Sequence, residues 1–153
     1  MKILSIAVIT GAFALAGSAA LAQEGPSAHT LGSKATNDSS STIGTAGSAA
    51  AGGTSASTIG LGANSSGKAG TSSTVGGAGS AATVNGKATS NTKIRENPQM
   101  LRAQSRAKAQ DGGTWSKSAT NTKVRHNGDL SSRTMSMSHV QGSKPAISKT
   151  RMK

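Results

Sequence analysis

STIGTAGSAAAGGTSASTIG, residues 41–60, opens and closes on the same four residues, and STVG at 73–76 brings the phrase back a third time. The copies are sixteen residues apart, and AGSAA at 46–50 returns two periods later at 78–82. Each unit holds one β-branched residue among Gly, Ser, Ala and Thr: Ile43, Ile59, then Val75. Two readings compete for such a period. Small residues with one branched side chain per unit can stack as the rungs of a β-solenoid over residues 41–88, or the period is a duplicated flexible linker.

Composition favours the linker. Leu, Ile and Val number twelve among residues 23–153, and adding four methionines and Trp115 still gives few bulky side chains. That is far under the apolar content of ordinary globular domains. No cysteine is present to staple a small core. The expected fold class is therefore a predominantly disordered, low-complexity chain with at most one short helix, at about 98–110. The helix has its own punctuation: Asn97 to cap, Pro98 at the first helical position, good helix formers in QMLRAQSRAKAQ, and Gly112-Gly113 to end it. As an alternative, the sixteen-residue period resembles the small-residue repeats of bacterial surface adhesins and ice-nucleation proteins, over about 48 residues. That resemblance implies a surface or matrix repeat protein with solenoid-like rungs.

The chain begins as an exported protein does. Lys2 precedes an apolar run from Ile3 to Ala16, and Ala20-Leu21-Ala22 forms an A-x-A pattern, so residues 1–22 read as a signal peptide. The expected location is the periplasm or the extracellular space, and after cleavage no second apolar segment would span a membrane.

Charge divides the remainder of the chain in two. Residues 23–86 balance Lys34 and Lys68 against Glu24 and Asp38, whereas residues 87–153 carry eight lysines and six arginines against Glu96, Asp111 and Asp129, a net of 14 − 3 = +11. Within the basic region, KATSNTKIREN at 87–97 is rewritten as KSATNTKVRHN at 117–127. In an extended chain Lys93 and Arg95 lie on one side of Ile94, and Lys123 and Arg125 on one side of Val124. With Arg102, Arg106 and Lys108 they make the candidate contacts for a polyanion. Anionic lipid, lipopolysaccharide or another envelope polyanion is the expected partner, and the two phrases are expected to act as separate contact points. Nucleic acid is disfavoured, because one tryptophan builds no stacking platform.

Chemistry beyond charge is sparse. GANSSGKA at 62–69 nearly spells a phosphate loop but ends on Ala69, without the hydroxyl that holds magnesium. His126, Asp129 and Ser131 lie close in sequence with nothing to hold them as a triad. No enzyme activity and no cofactor are expected. Met135, Met137 and His139 alternate in TMSMSHV, and in an extended strand they form a soft ligand set suited to Cu(I), which makes a copper-binding protein the third reading.

Overall fold

A computed structural model describes residues 25–36, 40–67 and 70–153. The expected signal peptide, residues 1–22, lies outside them. The described chain is built from strands with no helix: β1 (Ser27–Thr36), β2 (Ser40–Ala51), β3 (Thr54–Gly67), β4 (Gly70–Thr83), β5 (Lys87–Asn97), β6 (Met100–Asp111), β7 (Thr114–Arg125), β8 (Leu130–His139) and β9 (Ala146–Met152). The expectation of a predominantly disordered chain is overturned.

Each strand pairs antiparallel with the next, first as a four-stranded sheet β1-β2-β3-β4 and then as a five-stranded sheet β5-β6-β7-β8-β9. We call them sheets A and B. The chain crosses between sheets at Val84-Asn85-Gly86, where charge balance changes as well. Gly86 is required at the crossing: a Cβ there would run into the Gln110 carbonyl, with Asp111 Cα only 2.8 Å away.

The sixteen-residue period is a strand plus its turn, run in alternating directions, so the solenoid reading is also corrected. Ile43 pairs with Gly62 and Ile59 with Ala46, a register that belongs to hairpins and not to parallel rungs. Gly52 and Gly53, at φ 38° and 75°, make the two-residue turn from β2 to β3, which needs left-handed backbone at both positions.

The expected helix at 98–110 is strand β6 and the turn before it. Its two cues serve a turn equally well. Asn97 Oδ1 accepts from the backbone N–H of Gln99 at 3.0 Å and of Met100 at 2.7 Å, and Pro98 supplies the fixed φ of a turn's second residue. Beyond the turn the segment alternates strictly. Ala103, Ser105, Ala107 and Ala109 are buried, while Arg102, Gln104, Arg106, Lys108 and Gln110 point the other way. Period two with small residues on the inner side is a strand whose neighbour must come very close.

That close neighbour is sheet A. β1 faces β9, β2 faces β8, β3 faces β7 and β4 faces β6, and the side chains between them are mostly Gly, Ala, Ser and Thr. At one end Ile43, Val124 and Leu130 form an apolar cluster, with Val75, Leu101 and Met152 packed against it. The remainder is held by hydroxyls. Thr122 bonds Ser132 (2.8 Å), Ser132 bonds Thr45 (2.6 Å), and Thr134 donates to Thr45 (2.7 Å). The chain continues from Thr134 to Thr120 (2.7 Å), Thr120 to Thr58 (2.8 Å), Thr58 to Ser118 (2.7 Å) and Ser118 to Ser136 (3.1 Å). A net contribution of about 1 kcal/mol per bond, with mutual polarisation along the chain, replaces much of what large apolar groups supply elsewhere. The shortage of Leu, Ile and Val therefore does not prevent folding: Thr and Ala methyls pack, Thr and Ser oxygens pair, and glycines let the sheets approach.

Candidate polyanion-binding face

Because burial of the small side chains fixes which way each strand faces, it also fixes where the long ones go. On β6 the even-numbered residues point out of the sandwich; on β5, β7, β8 and β9 the odd-numbered ones do. Rows of outward residues then run across sheet B. One row reads Arg95–Arg102–Lys123–Ser131, the next Lys93–Gln104–Asn121–Arg133–Arg151. A third reads Asn91–Arg106–Ala119–Met135–Lys149, and a fourth Thr89–Lys108–Lys117–Met137–Ile147. Arg125 lies beyond the first row, opposite Met100.

All seven cations expected to meet a polyanion, Lys93, Arg95, Arg102, Arg106, Lys108, Lys123 and Arg125, thus share the outer face of sheet B. Sequence reading missed their neighbours Lys117, Arg133, Lys149 and Arg151; strict alternation in β7, β8 and β9 is the signal that would have found them. The two NTK[IV]R phrases are β5 and β7. They do not pair with each other: both flank β6, one on either side.

Spacing changes the electrostatics. Along a disordered chain these cations would average one per five residues or so, beyond the Debye length of about 8 Å. In the sheet, neighbours across strands are about 4.8 Å apart and alternate residues along a strand about 6.8 Å. Arg102 stands between Arg95 and Lys123, and Lys108 stands opposite Lys117, so like charges are direct cross-strand neighbours.

No described carboxylate stands in these four rows, and one reaches Arg125 beyond them. Glu96 pairs with Leu101 on the inner side of β5, and Asp111 accepts from the Asn85 N–H (3.1 Å) at the sheet crossing. Asp129 sits in the β7–β8 turn and meets Arg125 at 3.4 Å and Asn127 at 3.1 Å. The neighbouring His126 donates its backbone N–H to the Gln99 carbonyl.

Polar residues order part of the face. Arg102 Nε donates to Asn121 Oδ1 at 3.0 Å, and Asn91, Lys93, Arg95, Gln104 and Arg106 line a shallow open groove. At the opposite end Lys117 Nζ lies 4.4 Å above the Trp115 ring, which packs on His139 at 5.7 Å between centroids.

Met135, Met137 and His139 share this outer face too. The cross-strand neighbours of Met135 and Met137 are Lys149, Lys117 and Ile147, with Ala119 opposite Met135. Two ammonium groups beside the thioethers oppose a metal cation. His139 is packed under Trp115 with Nδ1 buried and, among the described residues, without a hydrogen-bond partner. Among the described residues, no three His, Cys, Asp or Glu side chains gather as metal ligands. The phosphate-loop near-match is strand from 62 to 67 and no loop.

Sheet A differs in kind. Among its described residues the outer side presents Ser, Thr, Ala and Gly with His29, Leu31, Ile59 and Leu61, and Lys34 is turned to donate to the Lys153 carbonyl at 3.0 Å. No family model, curated protein or solved structure matches the chain.

Proposed function

We propose that this is an exported, small, non-enzymatic protein that adheres to envelope polyanions, anionic lipid or lipopolysaccharide, through the outer face of sheet B. One observation carries the reading: Arg95, Arg102 and Lys123 are neighbours in a single row with no carboxylate among them. Like charges placed directly opposite in a sheet are destabilising by about 0.2–1 kcal/mol per pair. A fold that accepts this on one face, while its other face stays neutral, has a surface whose repulsion is relieved by a multivalent anion. Because the cations lie within a Debye length of one another, they attract as a group, and each contributes up to about 1 kcal/mol at an anionic surface.

Retention on anionic liposomes at low salt tests it. Arg102→Ser/Lys123→Ser is compared with Lys144→Ser/Lys153→Ser, which removes the same charge away from the row. The first pair is expected to reduce retention far more; equal losses from both would mean that net charge alone binds and the face is irrelevant. Copper binding is not adopted, given Lys117 and Lys149 beside the methionines.

A further inference from the structure

Sheet A has four strands and sheet B five, so one end of the sandwich is a step. β4 faces β6, and β5 projects past it, with Ser90 Oγ donating to the Gly79 carbonyl at 2.6 Å across the step. Every residue of β5 is exposed, on its inner side as well as its outer. On that exposed inner side, which β4 reaches only in part, lie Ala88, Ser90, Thr92, Ile94 and Glu96, and Ile94 is 59% exposed. They continue the Ala, Ser and Thr pattern that the other strands of sheet B bury under sheet A.

Both strands at the step are also open edges: among the described residues β4 pairs with β3 alone and β5 with β6 alone. Neither contains proline, and their registers run without a bulge; β5 carries Lys87, Lys93 and Arg95 outward and Glu96 inward, whereas β4 holds no charged residue and is the edge without the usual protections. The opposite end is different. There β1 lies flush on β9, with Thr30 bonded to Ser148 (2.9 Å) and Thr150 (2.6 Å), and a Cβ at Gly32 would meet Met152.

We propose that the β4–β5 step is the docking surface for a second copy of this chain, giving a closed two-fold dimer. A dyad running along the strands fits the step. It places the partner's β5 beside β4, covering the exposed inner side of β5, and places the partner's β4 beside β5. Each layer then becomes a continuous sheet of nine strands, four from one copy and five from the other. β4 and β5 run in opposite directions through the crossing, and this dyad preserves strand direction, so both new pairings are antiparallel. Inner residues meet their own counterparts: Ile94 faces the partner's Ile94, and Thr92 the partner's Thr92. An eleven-residue strand is about 37 Å long, and two layers are about 20 Å deep, giving roughly 1,500 Å² buried in total, the size of a standard stable interface. The cationic faces of the two copies lie on opposite sides of the dimer and do not repel at the joint. Glu96 at the rim does meet the partner's Glu96, an unfavourable contact that leaves a testable mark.

Sedimentation of the protein as its host exports it, over a concentration series, gives the test, with Ile94→Lys, Leu31→Lys and Glu96→Gln beside it. Leu31 is 67% exposed on the outer face of sheet A, so its variant adds the same charge away from the step. The expected result is a dimer of fixed size that Ile94→Lys weakens at least ~10-fold by juxtaposing two cations, that Leu31→Lys leaves unchanged, and that Glu96→Gln tightens a few-fold. A monomer throughout, species that keep growing with concentration, or equal weakening by the two lysine variants would overturn the proposal. If Ile94→Lys proves unfolded by circular dichroism, Glu96→Gln decides alone, and an unchanged or weaker dimer counts against it.

Discussion

Gly60 lies in β3 directly over β7, and replacing it with alanine probes how closely the two sheets approach. The new Cβ would sit 2.5 Å from Thr120 Cγ2, against Thr122 Oγ1 as well, and 3.4 Å from Thr122 Cβ. Carbon contacts want about 3.5–4.0 Å, so the sheets must part locally by about 1 Å. Overpacking of this kind costs about 1–3 kcal/mol. Displacing Thr120 and Thr122 also strains their bonds to Thr58, Thr134 and Ser132, each worth about 1 kcal/mol net. Against this stands the usual gain of about 0.4–1 kcal/mol when a compatible glycine becomes alanine. The net expectation is a loss of about 3 kcal/mol. Gly76 supplies the control, because a Cβ there meets nothing within 4 Å and only the gain should remain. Urea unfolding of the two variants should therefore place their stabilities about 3–4 kcal/mol apart. Stabilities within about 0.5 kcal/mol of each other would refute the close approach on which the whole sandwich rests.

The cationic row makes an opposite prediction about stability. Arg102→Gln, which keeps a hydrogen-bonding group beside Asn121, should raise stability at low salt by about 0.2–1 kcal/mol while lowering liposome retention, and the stability gain should vanish as salt is added. Asn97→Ala removes the acceptor that closes the β5–β6 turn and should cost about 1 kcal/mol in thermal unfolding, with no change in helical dichroism, whereas a helix cap at this position would predict a loss of it.

Much of the candidate site can be read before the fold is known, because it depends only on alternation and charge. Lys93 and Arg95 share a side in any extended chain, and the basic region begins at Lys87 whatever it folds into. The sandwich was harder to see, for a physical reason. Sequence reading looks for cores among Leu, Ile, Val and Phe, and here the buried positions are held by residues such as Thr120, Ser118 and Ala107, which score as linker. In β6 the period of two was present, but its inner residues are alanine and serine, so the helix-forming tendency of the same alanines and of the intervening Gln, Arg and Lys outweighed it. The sixteen-residue period spoke correctly for β structure, and the Gly52-Gly53 pair was the signal for reversal between the first two units. What no single strand contains is the partner that makes small side chains valuable. Thr45 bonds Ser132 across 87 positions of sequence, and only the packing of sheet A on sheet B brings the two hydroxyls together.

A core built on paired hydroxyls has a thermal signature of its own. Unfolding a conventional domain raises the heat capacity by about 12–15 cal/mol/K per residue, because apolar surface meets water while polar surface lowers the sum. Releasing Thr58, Thr120, Thr122, Ser132 and Thr134 instead of leucines tilts that balance toward the polar side. The expected stability curve is accordingly broad and shallow, with little weakening in the cold, which suits the proposed role outside the cell at whatever temperature the surroundings impose.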